Sequence, residues 1–387
     1  MPDQAETAPK ADAVPEADAV PRGARWLTPL ELRHQLGRPE WLEAAVTGDE
    51  SPLVVVDMSA PDANQLPGGA PAPLPGGAVP WRIVVGVADE ARPDVPIGIF
   101  DALLCSGPAR PGWTQVEDVA AALDSFARTC ATAPRAACTL TQLLRLNEQL
   151  PTAEATLSES LAYSMLLSGP EFAAWLAARR PMTYRPVPEP VEVGSDGDVV
   201  TLTFNRPEVR NAYDSATRDR LVDVLRALAA LPSCPPVRLA GRGPTFCSGG
   251  DLSQFGTTAD PVTAHAVRSS RLPGLLLRAV GATAWVHGSC VGAGIELPAF
   301  CPLVVAAPGT TFRLPEVPMG LVPGAGGTAS IVRRVGRHRT AFMALAATPV
   351  DTTTALEWGL VDAVRELPGV GNGPLPPGGT TGSAPGA

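Results

Sequence analysis

The sequence predicts an α/β protein, and three neighbouring segments carry that prediction. Residues 199–204 (VVTLTF) alternate as a strand, and 237–243 (VRLAGRG) read as another. Between them, 215–231 (SATRDRLVDVLRALAAL) place Leu221, Val224, Leu225 and Leu228 on one helical face. Strand, helix, strand begins a mixed α/β layer. At 387 residues with 45% hydrophobic content, the chain can bury a sizeable core, and a prior of about 150 residues per domain suggests two units.

The elements follow in order. Residues 1–22 are rich in Pro, Ala and acidic residues without an apolar stretch, so they predict disorder and not a signal peptide. Two strand-like runs, 53–58 (LVVVDM) and 81–87 (WRIVVGV), flank a breaker-rich surface loop at 62–80. From 116 to 180 the pattern turns helical, with Leu157, Leu161 and Met165 at i, i+4 and i+8, then GPEFAAWLAARR at 169–180. Residues 181–197 contain four prolines and read as a linker. From 369 the chain is nearly all Gly, Pro, Ser and Thr and predicts a disordered tail. The expected organisation is a mixed α/β, largely helical N-terminal region at 23–184 and a core at 185–368.

A net charge of −9 argues against general nucleic-acid binding. No apolar run approaches the roughly 20 residues of a membrane helix. Seven scattered cysteines without a C-x-x-C pair suggest neither a disulfide framework nor a zinc site. A soluble, cytoplasmic protein is the expectation. No Rossmann fingerprint, P-loop or HExxH is present.

Chemistry concentrates in FCSGGDL (246–252), HGSCVGAGIELPAF (287–300) and FRLPEVPMGLVPGAGGT (312–328). The first reads as a strand entering a turn whose glycines let the backbone approach a ligand. The second is a Gly/Ala-rich turn entering a helix, whose first N–H groups are unpaired. Two such turns facing one another would hold the oxyanion of a thioester enolate.

The order and spacing of these segments, together with NRPEVRNA (205–212) and ALEWGLVDAV (355–364), resemble the crotonase (enoyl-CoA hydratase/isomerase) family over roughly 175 residues. The resemblance implies a ββα superhelix and a lyase acting on CoA thioesters, with no metal and no cofactor beyond the coenzyme A of the substrate. It assigns the oxyanion donors to the N–H groups of Gly250 and Ala293, and the acidic pair to Glu296 and Glu316. Glu296 would activate water and Glu316 deliver the α proton. Ser248, Asp251, Leu252, Gly292 and Gly324 are expected to line the thioester, with turn capping as the plainer role of Asp251. His287 reads as a buried, hydrogen-bonded histidine. RRVGRHR (333–339) reads as a solvated helix face, with CoA phosphate contact as the alternative. Arg206, Arg210 and Arg242 are further phosphate candidates.

Two departures from the family stand out. Helices that usually follow the G-L-V-D region are missing, and residues 155–184 look like them, displaced upstream. Residues 50–184 thus read as a decayed first copy without catalytic elements, a layout similar to the dihydroxyphenylacetyl-CoA dioxygenases, which lack a glutamate at the position of Glu296. Leu157, Leu161, Met165, Phe172 and Trp175 are the expected stripe against the core. Pro298 is the second departure, removing a helix donor two residues after Glu296. Isomerase, decarboxylase or oxygenase chemistry, or a non-catalytic acyl-CoA-binding subunit, are the alternative functions. Protein partners are a homo-oligomer such as a trimer, or another biosynthetic enzyme.

Overall fold

Parallel strands dominate both halves of the chain. The structure, a computed structural model, describes residues 24–368 except 37, 39, 42–44, 46–49, 67–80 and 258–259. The expected disordered ends, and most of the loop at 62–80, lie outside the described residues. The chain divides into two compact units, one ending at Pro134 and one beginning at Arg135.

In the first unit β1 (Arg25–Leu27), β2 (Leu53–Asp57), β3 (Ile83–Ala88), β4 (Ala102–Cys105) and β5 (Thr114–Gln115) form one parallel sheet in sequential order. Helix α1 (Pro29–Gln35) starts at a Thr28/Glu31 capping box, which satisfies two end amides reciprocally. Helix α2 (Val119–Thr132) is capped by Asp118 and buries Leu123 and Phe126. The inner strands β2, β3 and β4 are almost wholly apolar and buried, as in a sheet covered on both faces.

The second unit opens with α3 (Pro134–Asn147, its first residue at the boundary), α4 (Thr152–Leu167) and α5 (Pro170–Ala177). A six-stranded sheet follows, built from β6 (Val191–Asp196), β7 (Val199–Phe204), β8 (Val237–Gly241), β9 (Thr283–Val286), β11 (Leu303–Ala306) and β13 (Ala363–Val364). Apart from the antiparallel β6–β7 hairpin, all neighbours run parallel and in sequence order. A second layer pairs β10 (Ser289–Val291) with β12 (Thr311–Arg313), and Cys247 bridges to Cys290 beside them. Each turn of chain passes from the large sheet to this layer. The fold is mixed α/β, as the sequence predicts.

The structure corrects three expectations. The boundary falls after Pro134, not at 184, because α3–α5 bury their inner faces in the second unit: α4 packs on α7 (Pro261–Ser270) and on α10 (Gly327–Ala346). The proline-rich 181–197 is no free linker, since its end forms β6 and Tyr184 donates to Asp214 Oδ2 at 2.9 Å. The apolar stripe of α4 faces outward, with Leu157, Leu161 and Met165 exposed at 45%, 54% and 57%. Its inner face carries Ala155, Thr156, Glu159, Ser160 and Ser164, which close over a polar site. Phe172 of α5 is buried as expected, and Trp175 is half-buried, stacked 5.8 Å from it.

Candidate active site

Parallel strands of the second layer deliver the candidate residues to one edge, because each turn leaves the C-terminal end of its strand in the same direction. After the Cys247 bridge come Gly249, Gly250 and Asp251; after β10 come Gly292 and α9 (Ala293–Glu296); after β12 comes Glu316. Of these, Gly250, Asp251, Ala293, Glu296 and Glu316 line a cavity of about 410 Å³ together with Tyr163, Arg268 and Gly324.

The N–H groups of Gly250 and Ala293 donate to no described group, and both residues line the cavity. Ala293 opens α9, where the first amides have no carbonyl behind them. A Cβ at Gly250 would lie 2.8 Å from the Phe255 ring, so a side chain there would have to displace that ring. Gly292, at φ +50°, separates the two glutamates: a Cβ on it would lie 2.3 Å from Glu316 Oε1 and 3.7 Å from Glu296 Oε1.

Both carboxyls are raised, and their environments differ. Glu296 Oε2 accepts from the N–H groups of Ala325 (2.7 Å) and Gly327 (2.9 Å). Burial raises it to about 7, and those two donors oppose the rise. Glu316 Oε2 is buried without a partner. Burial, then the charges of Glu296 and Glu159, push it well above the usual carboxylate range. At Gly320, just beyond Glu316, the start of α5 approaches closely, since a Cβ there would lie 2.5 Å from the Phe172 nitrogen.

Glu159 of α4 is a third carboxyl that the sequence reading missed. Its Oε1 accepts from the Gly326 N–H (2.6 Å) and its Oε2 from the Thr328 N–H (2.8 Å) and hydroxyl (2.7 Å). Four successive amides, 325 to 328, thus alternate between Glu296 and Glu159 at the start of α10. Burial, then the Glu296 charge, raise Glu159 to about 8. Asn147 of α3 adds a bond from Nδ2 to Thr328 Oγ1 at 2.9 Å. A glutamate between Leu157 and Leu161 gives no sequence signal, because it reads as the polar side of an amphipathic helix. Tyr163 is likewise new, packed so closely on Gly324 that a Cβ there would lie 2.4 Å from its ring.

Several expected residues have structural work. Asp251 lines the cavity, but its carboxylate pairs with Arg206 at 2.9 Å and caps Ser253. Arg206 is buried between Asp251 and Asp214, so it is no phosphate partner. Gly292 acts by yielding space to the glutamates, whereas Ser248 and Leu252 lie outside the cavity lining. Arg242 pairs with Glu192 at 2.5 Å. His287 is buried and meets the Gly243 carbonyl at 2.7 Å, as expected. The 333–339 run is not a solvated face: Arg337 and His338 are buried, and Arg333 and Arg337 reach Leu150 and Glu148 beside the α3–α4 turn. Pro298 ends α9 after one turn and starts a 3-10 turn at 298–300, while Pro261 and Pro273 open α7 and α8 (Pro273–Ala279), where a missing N–H costs nothing.

Comparison with known proteins concerns the second unit. The family model described as enoyl-CoA hydratase/isomerase matches residues 194–368. That segment belongs to the crotonase (enoyl-CoA hydratase/isomerase) family. The chain is 34% identical over 166 residues to 2,3-dehydroadipyl-CoA hydratase of Escherichia coli, covering 43% of this chain and 65% of that one. It is 33% identical over 170 residues to a mevalonyl-coenzyme A hydratase of Aspergillus fumigatus, covering 43% and 63%. It therefore spans just under two thirds of the length of these relatives. An enoyl-CoA hydratase structure from Bacillus anthracis matches 46% of this chain and 70% of its own, at 27% identity and a TM-score of 0.43. The seven cysteines are free thiols, and among the described residues no helix is long and apolar enough to cross a membrane.

Proposed function

We propose that this protein hydrates 2-enoyl-CoA thioesters, with Glu296 and Glu316 as base and acid and the amides of Gly250 and Ala293 as the oxyanion hole. One observation carries the reading: two buried carboxyls with unequal hydrogen bonding meet across Gly292, beside two amides without a partner among the described residues. Two amide donors favour the anion of Glu296, whereas Glu316, with an oxygen that has none, keeps its proton.

The Glu296 carboxylate takes a proton from water as the water oxygen bonds to Cβ. The π pair of the double bond moves toward the carbonyl, and the two N–H groups stabilise the enolate oxygen. Glu316 then gives its proton to Cα and the carbonyl re-forms. Hydroxyl stands at Cβ and hydrogen at Cα, and proton exchange from Glu296 to Glu316 through the next water resets the pair. The scheme needs no cofactor beyond the substrate's coenzyme A. That the matched relatives include two hydratases supports water addition among the family's reactions.

Absorbance loss across a panel of enoyl-CoA thioesters tests the activity. Glu296→Gln and Glu316→Gln should each lower kcat by at least about 10²-fold with acyl-CoA binding retained. Loss with Glu316→Gln alone would mean a one-proton isomerase, and tight binding without turnover across the panel would mean a binding subunit. The wild-type rate should rise with pH as Glu296, raised to about 7, ionises, and fall at higher pH as Glu316 loses its proton.

A further inference from the structure

One cation on the cavity wall forms no ion pair among the described residues. Arg268, on α7, lines the cavity beside Tyr163 and Val267. Its Nη1 donates to Ser164 Oγ at 2.9 Å and, at 3.4 Å, to the carbonyl and hydroxyl of Ser160, while its guanidinium stacks 4.2 Å over the Tyr163 ring. All these partners are neutral. Ser160 Oγ is shared with His265 Nδ1 at 3.0 Å, which fixes the hydroxyl beside the guanidinium. Among the described residues, Nε and Nη2 of Arg268 make no hydrogen bond, and the residue is only partly buried.

The other cations near the cavity differ. Arg271 binds Asp219 at 2.6 Å and Asp223 at 3.0 Å, and Arg218 binds Asp219 at 2.9 Å. The buried carboxyls do not serve Arg268 either. Glu159 and Glu296 are close enough to act on it through space, but neither forms an ion pair with it: both oxygens of Glu159 and Oε2 of Glu296 accept from the amides of residues 325–328. A helix N-terminus already offsets those two charges. A guanidinium with two free parallel donors in a partly desolvated wall fits a carboxylate in a fork.

We propose that Arg268 recognises a carboxylate at the far end of the acyl chain, making the preferred substrates enoyl-CoA thioesters of dicarboxylic acids. This rests on the acyl-CoA reading of the cavity above. Arg268 is then a specificity-determining residue: its free Nε and Nη2 donate to the substrate carboxylate, and Ser160, Ser164 and Tyr163 hold the guanidinium in place.

The test uses the full-length protein and two saturated acyl-CoA thioesters of equal chain length, one ending in a carboxylate and one in a methyl group. Neither can be hydrated, so calorimetric binding reads recognition apart from turnover. The wild type should bind the carboxylate-ended thioester at least about tenfold more tightly. Arg268→Met should abolish that preference while leaving the methyl-ended thioester within about twofold, and Arg268→Lys, which keeps the charge and the packing, should retain part of it. Equal affinity for the two thioesters in the wild type overturns the proposal and leaves the acyl-CoA reading standing. A preference that survives Arg268→Met overturns it too. Failure of both thioesters to bind overturns the proposal together with the reading beneath it.

Discussion

The two units use the same element and reach different ends. Each holds five parallel strands in sequential order, β1 to β5 in the first and β7, β8, β9, β11 and β13 in the second. In the second, the chain leaves the sheet for a second layer, and every visit to that layer ends in a turn carrying a candidate site residue. Among the described residues the first unit has one sheet and no such layer, and its strands are sealed by Leu, Val, Trp and Phe. A parallel sheet makes a core; the layer beside it makes the site.

Fragments test that contrast most severely. Residues 186–368 keep both glutamates but lose Glu159, Tyr163 and Asn147, leaving the amides of Gly326 and Thr328 without their carboxylate. That fragment should be insoluble or inactive, whereas 135–368 should be soluble and turn over enoyl-CoA. An active, cooperatively melting 186–368 fragment would show that the core needs no helix from upstream.

Glu159→Gln sharpens the comparison at one residue. An amide group can accept from only one of the two sets of donors, so unfolding free energy should fall by roughly 2–4 kcal/mol, read by denaturant titration. Its charge also raises Glu316, so its removal should move the alkaline limb of the rate profile to lower pH. An unchanged alkaline limb would mean that Glu159 is structural alone.

In the first unit, Asp101 Oδ2 accepts from the Val84 N–H at 2.9 Å deep in the sheet. Asp101→Asn should cost about 1–3 kcal/mol in stability and leave kcat unchanged, since that sheet carries packing and not chemistry. A drop in kcat with an unaltered melting curve would tie the first unit to catalysis. The smallest effect is expected for Leu161→Lys on the outer face of α4, within about 0.5 kcal/mol by thermal melt; a larger loss would mean that this face is covered.

Much of the site was legible from order alone. Short-range rules placed β2, β3, β7, β8 and the helix at 215–229, and the family resemblance carried by three glycine-rich segments is what pointed to Gly250, Ala293, Glu296 and Glu316. These features are local: a strand alternates with period two, a helix repeats every 3.6 residues, and a glycine-rich turn declares itself. The sequence also determined that the upstream helices have an apolar side, but not where it points. Leu157, Leu161 and Met165 form the stronger stripe, yet α4 turns Glu159, Ser160 and Ser164 inward. Burial of a carboxylate is favourable there only because the amides at 325–328, more than 160 residues later, arrive to meet it. The same holds for Arg206 and the 333–339 run, whose partners come from distant segments. Which polar side chain becomes site, clamp or surface was decided by contacts that exist only once the chain has folded.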